Sequence, residues 1–328
     1  MTDPAVLLQT AREHAAAGRW AELRALLGGT RALVEESPEL VVAYAEALLR
    51  LGHPAPARDW LAAQVDALAR RGARRELRRG TNMLGAAHFE LGELAPARAA
   101  FERALELGRA DGDDLLVARA LNNLGLLADM GGARDGALAL FQLALPLYQA
   151  LGHPLGLAEV YHNMGIVLRE RLELDAADEY EARAVQYARQ AASPRLAAMA
   201  RVGRAEVGLR RGDPRLAAAG ARRAAEEFAR LPDPAREADA RRLLGVASLA
   251  LGRADEAREA IERAVRLAHE HGSLLIEAES LRARAELLAS VGARGDATTD
   301  ARAAVELFAR LGRAEDETAM KEWLEEMG

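Results

Sequence analysis

The chain has 328 residues, half of them hydrophobic but only 4% aromatic, a net charge of −6 and no cysteine. The lack of cysteine excludes disulfides and thiolate zinc sites, and the acidic balance argues against nucleic acid as the main ligand, because phosphate contacts need a basic surface. Alanine and leucine dominate the apolar half, a composition typical of helices in close contact. Lys321 is the only lysine, so nearly every basic side chain is an arginine. Two readings of this are open, recognition of phosphate or carboxylate and arginine-rich codon usage. The spread of the arginines along the whole chain favours the second.

In chain order, the segment Met1 to Arg19 carries Asp3, Arg12 and Glu13 and no apolar stretch, so it does not read as a signal peptide. From Gly18 onward a comb of small residues appears. The first spacing, Gly18 to Gly52, is 34 residues, and Gly92, Gly132, Gly212, Gly252 and Gly292 continue it at 40, with Leu172 as the one interruption. Ala57, Ala97, Ala137, Ala177, Ala217, Ala257 and Ala297 follow five residues after the teeth from Gly52 onward. A fixed period of this size predicts stacked copies of one supersecondary unit with a single continuous core.

Each copy carries two stretches with apolar residues three and four apart, which predicts paired amphipathic helices with a turn at the tooth. The expected architecture is all-α, a right-handed α-solenoid forming one domain over 1–328. Its repeats fall roughly at 4–36, 38–72, 75–110, 114–151, 155–191, 194–231, 234–271 and 274–311. Asp3-Pro4, Ser37-Pro38, Ser193-Pro194, Asp213-Pro214 and Asp233-Pro234 each set a capping side chain before a proline. Such a side chain satisfies a free backbone N–H, and proline at the first helical position gives up no hydrogen bond. Asp113 is expected to cap a helix in the same way. Gly136 to Ala158 has no charged residue over 23 positions, but Gln142, Pro146, Gln149, Gly152, His153 and Pro154 break it, so a membrane span is not expected. The segment 314–327 sets Met320, Trp323, Leu324 and Met327 on one face, with six acids elsewhere. It reads as a helix capping the open end of the array, with a partner-binding helix as the alternative.

The repeats resemble the tetratricopeptide repeat. Leu84-Gly85, His88, Ala97 and Phe101 carry the pattern, as do Leu124-Gly125, Ala128, Ala137 and Phe141; Tyr161, Met164-Gly165, Leu168 and Ala177; and Leu244-Gly245, Ser248, Ala257 and Ile261. Ala45, Ala205 and Ala285 replace the first glycine in other copies. Glycine and alanine let the two helices approach, and the larger residues fill the remaining space. The 40-residue period, with Asn-Asn-Leu-Gly at 122–125 and His-Asn-Met-Gly at 162–165, is similar to the longer repeats of kinesin light chains and of bacterial peptide-sensing regulators. In that family the asparagine two before the glycine bonds the backbone of a bound peptide on the concave face. The resemblance implies that role for Asn123 and Asn163. Met83 stands at this position one repeat earlier, with Asn82 beside it, and Gly203, Leu243 and Ala283 end the row.

The resemblance therefore gives a peptide-binding groove of Asn82, Arg119, Asn122, Asn123, His162, Asn163 and Arg169, with Arg79, Phe89, Leu126 and Ile166 beside them. Asparagine offers a donor and an acceptor to an extended chain, and arginine suits a carboxylate. The competing reading is that the asparagines tie neighbouring repeats together. A second surface is expected where Leu138, Gln142, Leu143 and Pro146 occupy outward steps that hold Arg258, Glu262, Arg263 and Arg266 in a later repeat. An uncharged outer face suggests a partner or homodimer interface; burial under a loop and a tolerated surface are the alternatives.

No phosphate-cradling, serine-elbow or His-Glu-x-x-His motif is present. His269-Glu270-His271 has poor ligand geometry on a helix, and Asp111 to Asp114 lacks the frame of a calcium loop. The expectation is a cytoplasmic scaffold or adaptor without enzymatic activity, cofactor or metal, partnered by a protein or peptide and by neither nucleic acid nor membrane. The alternative is a peptide-responsive sensor acting through a second protein. The related regulators place a DNA-binding helix-turn-helix before their repeats. Here the repeats start close to Met1, which favours the adaptor.

Overall fold

The computed structural model describes residues 3–327, and the secondary structure among them is entirely helical. The chain divides into two compact units, Met1–His153 and Pro154–Gly328. The N-terminal unit contains α1 (Pro4–Ala16), α2 (Trp20–Gly28), α3 (Arg31–Glu36), α4 (Pro38–Arg50), α5 (Pro54–Arg70), α6 (Arg74–Glu90), α7 (Leu94–Asp111), α8 (Asp114–Met130) and α9 (Arg134–Ala150). The C-terminal unit contains α10 (Pro154–Glu170), α11 (Leu174–Gln190), α12 (Pro194–Arg210), α13 (Pro214–Arg230), α14 (Pro234–Ala250), α15 (Ala254–Glu270), α16 (Leu274–Ser290), α17 (Arg294–Arg310) and α18 (Ala314–Met327).

Within each unit the first helix of every repeat packs on the first helix of the next, α4 on α6 and α6 on α8, then α10 on α12, α12 on α14 and α14 on α16. Each second helix lies mainly against the first helices on either side of it. The first repeat carries the short extra helix α3, which its spacing does not announce.

The pairing of small and large residues is visible atom by atom. A Cβ built on Gly85 would meet the Phe101 ring at 2.6 Å, and Cβ atoms on Gly125 and Gly245 would overlap Phe141 and Ile261. Where alanine replaces the glycine the partner is smaller, as in Ala45 with Leu61 and Ala205 with Ala221, all fully buried. The core is thus set by complementary volumes repeated every forty residues. At the C-terminal end Met320 is buried against Phe308, with Trp323 and Leu324 beside it, so α18 covers α17.

The caps divide by residue type. Asp3, Asp113, Asp213 and Asp233 accept bonds from the backbone N–H of Ala5, Leu116, Leu216 and Arg236. Ser37 and Ser193 make no such bond, although the prolines after them do open α4 and α12. The sequence expectation of side-chain caps holds for the aspartates and not for these two serines.

The turns reveal a second comb offset by twenty residues. Gly72, Gly112, Gly152, Gly272 and Gly312 take positive φ between repeats, as Gly52, Gly92, Gly132, Gly212, Gly252 and Gly292 do within them. Two other residues share that conformation, Leu172 at φ 62° and Ala192 at φ 49°. Both flank α11.

Candidate functional site

In the N-terminal unit, Asn82 on α6 and Asn123 on α8 meet directly. Asn123 Nδ2 donates to Asn82 Oδ1 over 3.4 Å, and both side chains are half-buried. Among the described residues this single bond leaves the Asn82 amide hydrogens and the Asn123 oxygen uncommitted to protein groups. Arg119, one turn before Asn123, is exposed. The pattern of the preceding repeat explains its state. Arg79 bonds Glu46, 33 residues earlier, over 3.1 Å. The residue 33 before Arg119 is Ala86, and among the described residues Arg119 has no ion-pair partner. Asn122 is buried, so it contributes to packing between repeats and not to the open face.

In the C-terminal unit the expected residues meet a different environment. Asn163 is half-buried. Arg169 Nη1 lies 2.5 Å from Glu206 of α12, and Arg242 of α14 lies 2.6 Å from Asp239 and 3.1 Å from Glu279 of α16. These pairs form a ladder of alternating charge across successive first helices. Burial pushes the Glu206 carboxyl above the usual carboxylate range, and Arg169 opposes that shift. His162 is also buried, and its Nδ1 sits 2.8 Å from Glu181 Oε2 of α11. His162 and Arg169 are therefore engaged with carboxylates and do not project freely.

Glu181 was not among the residues singled out from sequence. It is 0% exposed. Its Oε2 faces His162, while its Oε1 has no hydrogen-bond partner. Burial drives its carboxyl pKa upward, against the opposing pull of His162, Arg169 and Arg204. Two glycines make the space. A Cβ on Gly165 would meet Glu181 Cγ at 2.8 Å, and a Cβ on Gly203 would overlap the carboxylate. Gly203 stands where the asparagine row ends, so the row stops at the point where a carboxyl group needs room. The signal was in the sequence. Phe101 and Phe141 precede Glu181 at the forty-residue spacing and Ile261 follows it at twice that spacing, so a charged residue in that row marks a departure. Beside the pair, a cavity of about 120 Å³ is lined by His162, Ile166, Arg169, Met199, Gly203 and Glu206.

The four residues of the second expected surface lie on α9. Leu143 is 55% exposed, Gln142 and Pro146 are exposed, and Leu138 is half-buried. No helix among the described residues is long and apolar enough to cross a membrane. His269 Nδ1 meets Glu277 Oε1 at 2.7 Å, and no cluster of metal-ligating side chains occurs among the described residues.

With this geometry in view, comparison with known proteins is informative. Two models of the tetratricopeptide repeat match the chain, one over residues 77–150 and one over 238–271. These two stretches carry tetratricopeptide repeats. No curated protein matches it. Among solved structures, the Rap protein complexed with competence and sporulation factor aligns with a TM-score of 0.63 and 15% identity, over 99% of this chain and 97% of that one. The apo form of RapI aligns with a TM-score of 0.65 and 13% identity, over 84% and 99%. The apo form of the quorum sensor NprR from B. thuringiensis aligns with a TM-score of 0.59 and 11% identity, over 98% of each chain. At these identities the likeness establishes the tetratricopeptide fold, and function rests on the residues described above.

Proposed function

We propose that this protein is a non-enzymatic interaction module that binds an extended peptide or protein segment along the first-helix face of its N-terminal unit. The observation that carries this reading is the group of Asn82, Asn123 and Arg119. Two linked amides keep spare donors and an acceptor, and beside them stands an arginine whose expected carboxylate is replaced by Ala86. Amides of this kind complement the unpaired main-chain groups of an extended segment, and the guanidinium complements an acidic side chain or a C-terminus. The neighbours named as a quorum sensor and as a complex with competence and sporulation factor support a role in protein interaction or peptide sensing.

A library of labelled peptides ending in Asp or Glu, read by fluorescence polarisation, tests the proposal. Members are expected to bind. Replacing both Asn82 and Asn123 by Ala removes bonds worth about 1 kcal/mol each, so affinity should fall about tenfold or more. Arg119→Gln should remove the preference for acidic ends. Unchanged affinity in the asparagine double variant, or no binding by any peptide, rules this face out.

A second reading, a sensor that passes a signal to another protein or to a second copy of itself, is favoured by the uncharged outer face of α9 with its exposed Leu143. Leu138→Glu with Leu143→Glu should lower the mass in light scattering if that face pairs two copies. An unchanged mass removes the homodimer.

A further inference from the structure

A second constellation lies away from the asparagines, within the C-terminal unit. Here α11 supplies Gln186, Arg189 and Gln190, α12 supplies Arg201 and Arg204, and α13 supplies Arg223, all around one open cavity of about 380 Å³. The rest of its wall is alanine, valine, leucine and one glycine. The volume lies within the range of small-molecule sites, and a mixed lining with a few converging polar groups is their usual composition.

The arginines are anomalous by the logic of the repeat. Positions 201 and 204 fall in rows that hold Leu121 and Leu124 in α8 and Tyr161 and Met164 in α10, all buried. When arginine recurs in these rows, a carboxylate accompanies it. Arg241 bonds Glu237 over 2.6 Å, and Arg284 bonds Asp300 over 2.6 Å. Arg204 follows the same rule with Asp178 at 2.7 Å. Arg201, Arg189 and Arg223 have no ion-pair partner among the described residues. Burial and the like charges of Arg189 and Arg223 lower the Arg201 pKa, and Glu227 only partly offsets them. Like charges gathered with too little counter-charge destabilise the free protein, and departures of this kind concentrate at functional positions.

The geometry points to an anion site between α11, α12 and α13, formed by Arg189, Arg201 and Arg223 beside the Asp178-paired Arg204, for a small molecule that carries more than one phosphate group. Guanidinium forks bond phosphate oxygens in pairs, the two glutamines add neutral amide contacts, and the aliphatic wall accommodates an apolar or ring-bearing body. All the cations line one open cavity between three neighbouring helices and do not run on along the array, which suits a compact ligand and not an extended acidic chain.

The test is isothermal titration calorimetry of the full chain at low salt, with inorganic pyrophosphate and with citrate as separate probes. Pyrophosphate should bind one per chain and more tightly than citrate. Arg201→Met, which keeps the apolar stem, and Arg223→Gln should each weaken it by about tenfold or more. Arg258→Gln, on the exposed face of α15, should leave it unchanged. Arg201→Met should also raise the melting temperature of the free protein, since it relieves repulsion. The proposal is overturned if pyrophosphate does not bind, or if citrate matches it, or if the Arg258 variant weakens binding as much as the cavity variants. A lower melting temperature for Arg201→Met would assign the arginine a structural role and also overturn it. None of these residues belongs to the Asn82–Asn123 face, so the peptide proposal stands or falls separately.

Discussion

In the repeat of α8 and α9 the ring of Phe141 lies over Gly125, whereas in the repeat of α10 and α11 the same position holds Glu181 over Gly165. Both side chains are fully buried. Phe141 needs only space, since its burial is favourable on its own account by about 2–3 kcal/mol. Glu181 needs space and a partner. His162 stands where the previous repeat has Asn122, and Gly203 ends the asparagine row. Even so, Oε1 stays without a hydrogen bond, and a buried unpaired acceptor is costly. One frame therefore accepts either a self-sufficient apolar knob or a carboxyl group whose surroundings have been rebuilt around it. The second arrangement departs from local rules, and such departures concentrate at functional positions.

The comparison can be broken most severely at its apolar member. Phe141→Ala removes a ring enclosed by Gly125 and should cost about 3–5 kcal/mol, measured by urea denaturation. A loss below about 1 kcal/mol would mean that the repeat collapses around the gap and that the fit of ring to glycine matters little.

A smaller, pH-dependent effect is expected at Glu181. Its carboxyl pKa is raised in the folded chain, chiefly by burial. The folded state thus favours the protonated form. The cost is absent below the usual carboxylate range and grows as pH rises through the folded pKa. Glu181→Gln keeps the size and removes the charge, so it should stabilise the protein at about pH 8 and less at about pH 5. A variant less stable than the parent at the higher pH would show that the contact of the Glu181 carboxylate with His162 outweighs its desolvation.

The frame was legible because it is written in residue volumes. Gly125 with Phe141 and Gly245 with Ile261 recur at a fixed spacing, and the aspartates before prolines mark helix starts. Asn82 and Asn123 could be singled out by the same spacing, but their bond to each other depends on the approach of α6 to α8, which no linear pattern states. His162 and Arg169 were legible as polar residues on the first-helix face. Their carboxylate partners, Glu181 and Glu206, come from other helices 19 and 37 residues away in the chain. The arginines illustrate the limit most clearly. Spread evenly along the chain, they read as surface composition, yet α11, α12 and α13 gather four of them around one cavity.

The smallest expected effect concerns the turn between the two helices of the unusual repeat. Leu172 takes φ 62° at a tooth where the other repeats place glycine. A side chain in this left-handed region costs about 1–2 kcal/mol through the approach of Cβ to the backbone. Leu172 is 72% exposed, so little burial repays that cost. Leu172→Gly relieves the strain but enlarges the freedom of the unfolded chain, which takes back part of the gain. The net should be a stabilisation of about 0.5–1 kcal/mol, seen as a higher urea midpoint with an unchanged slope. Gly132→Ala, at the corresponding turn of the α8–α9 repeat, should move the midpoint the other way, because alanine there acquires the strain that Leu172 already bears. If Leu172→Gly lowered the midpoint, the exposed leucine would be holding the turn by contacts of its own, and the contrast between the two repeats would not extend to their turns.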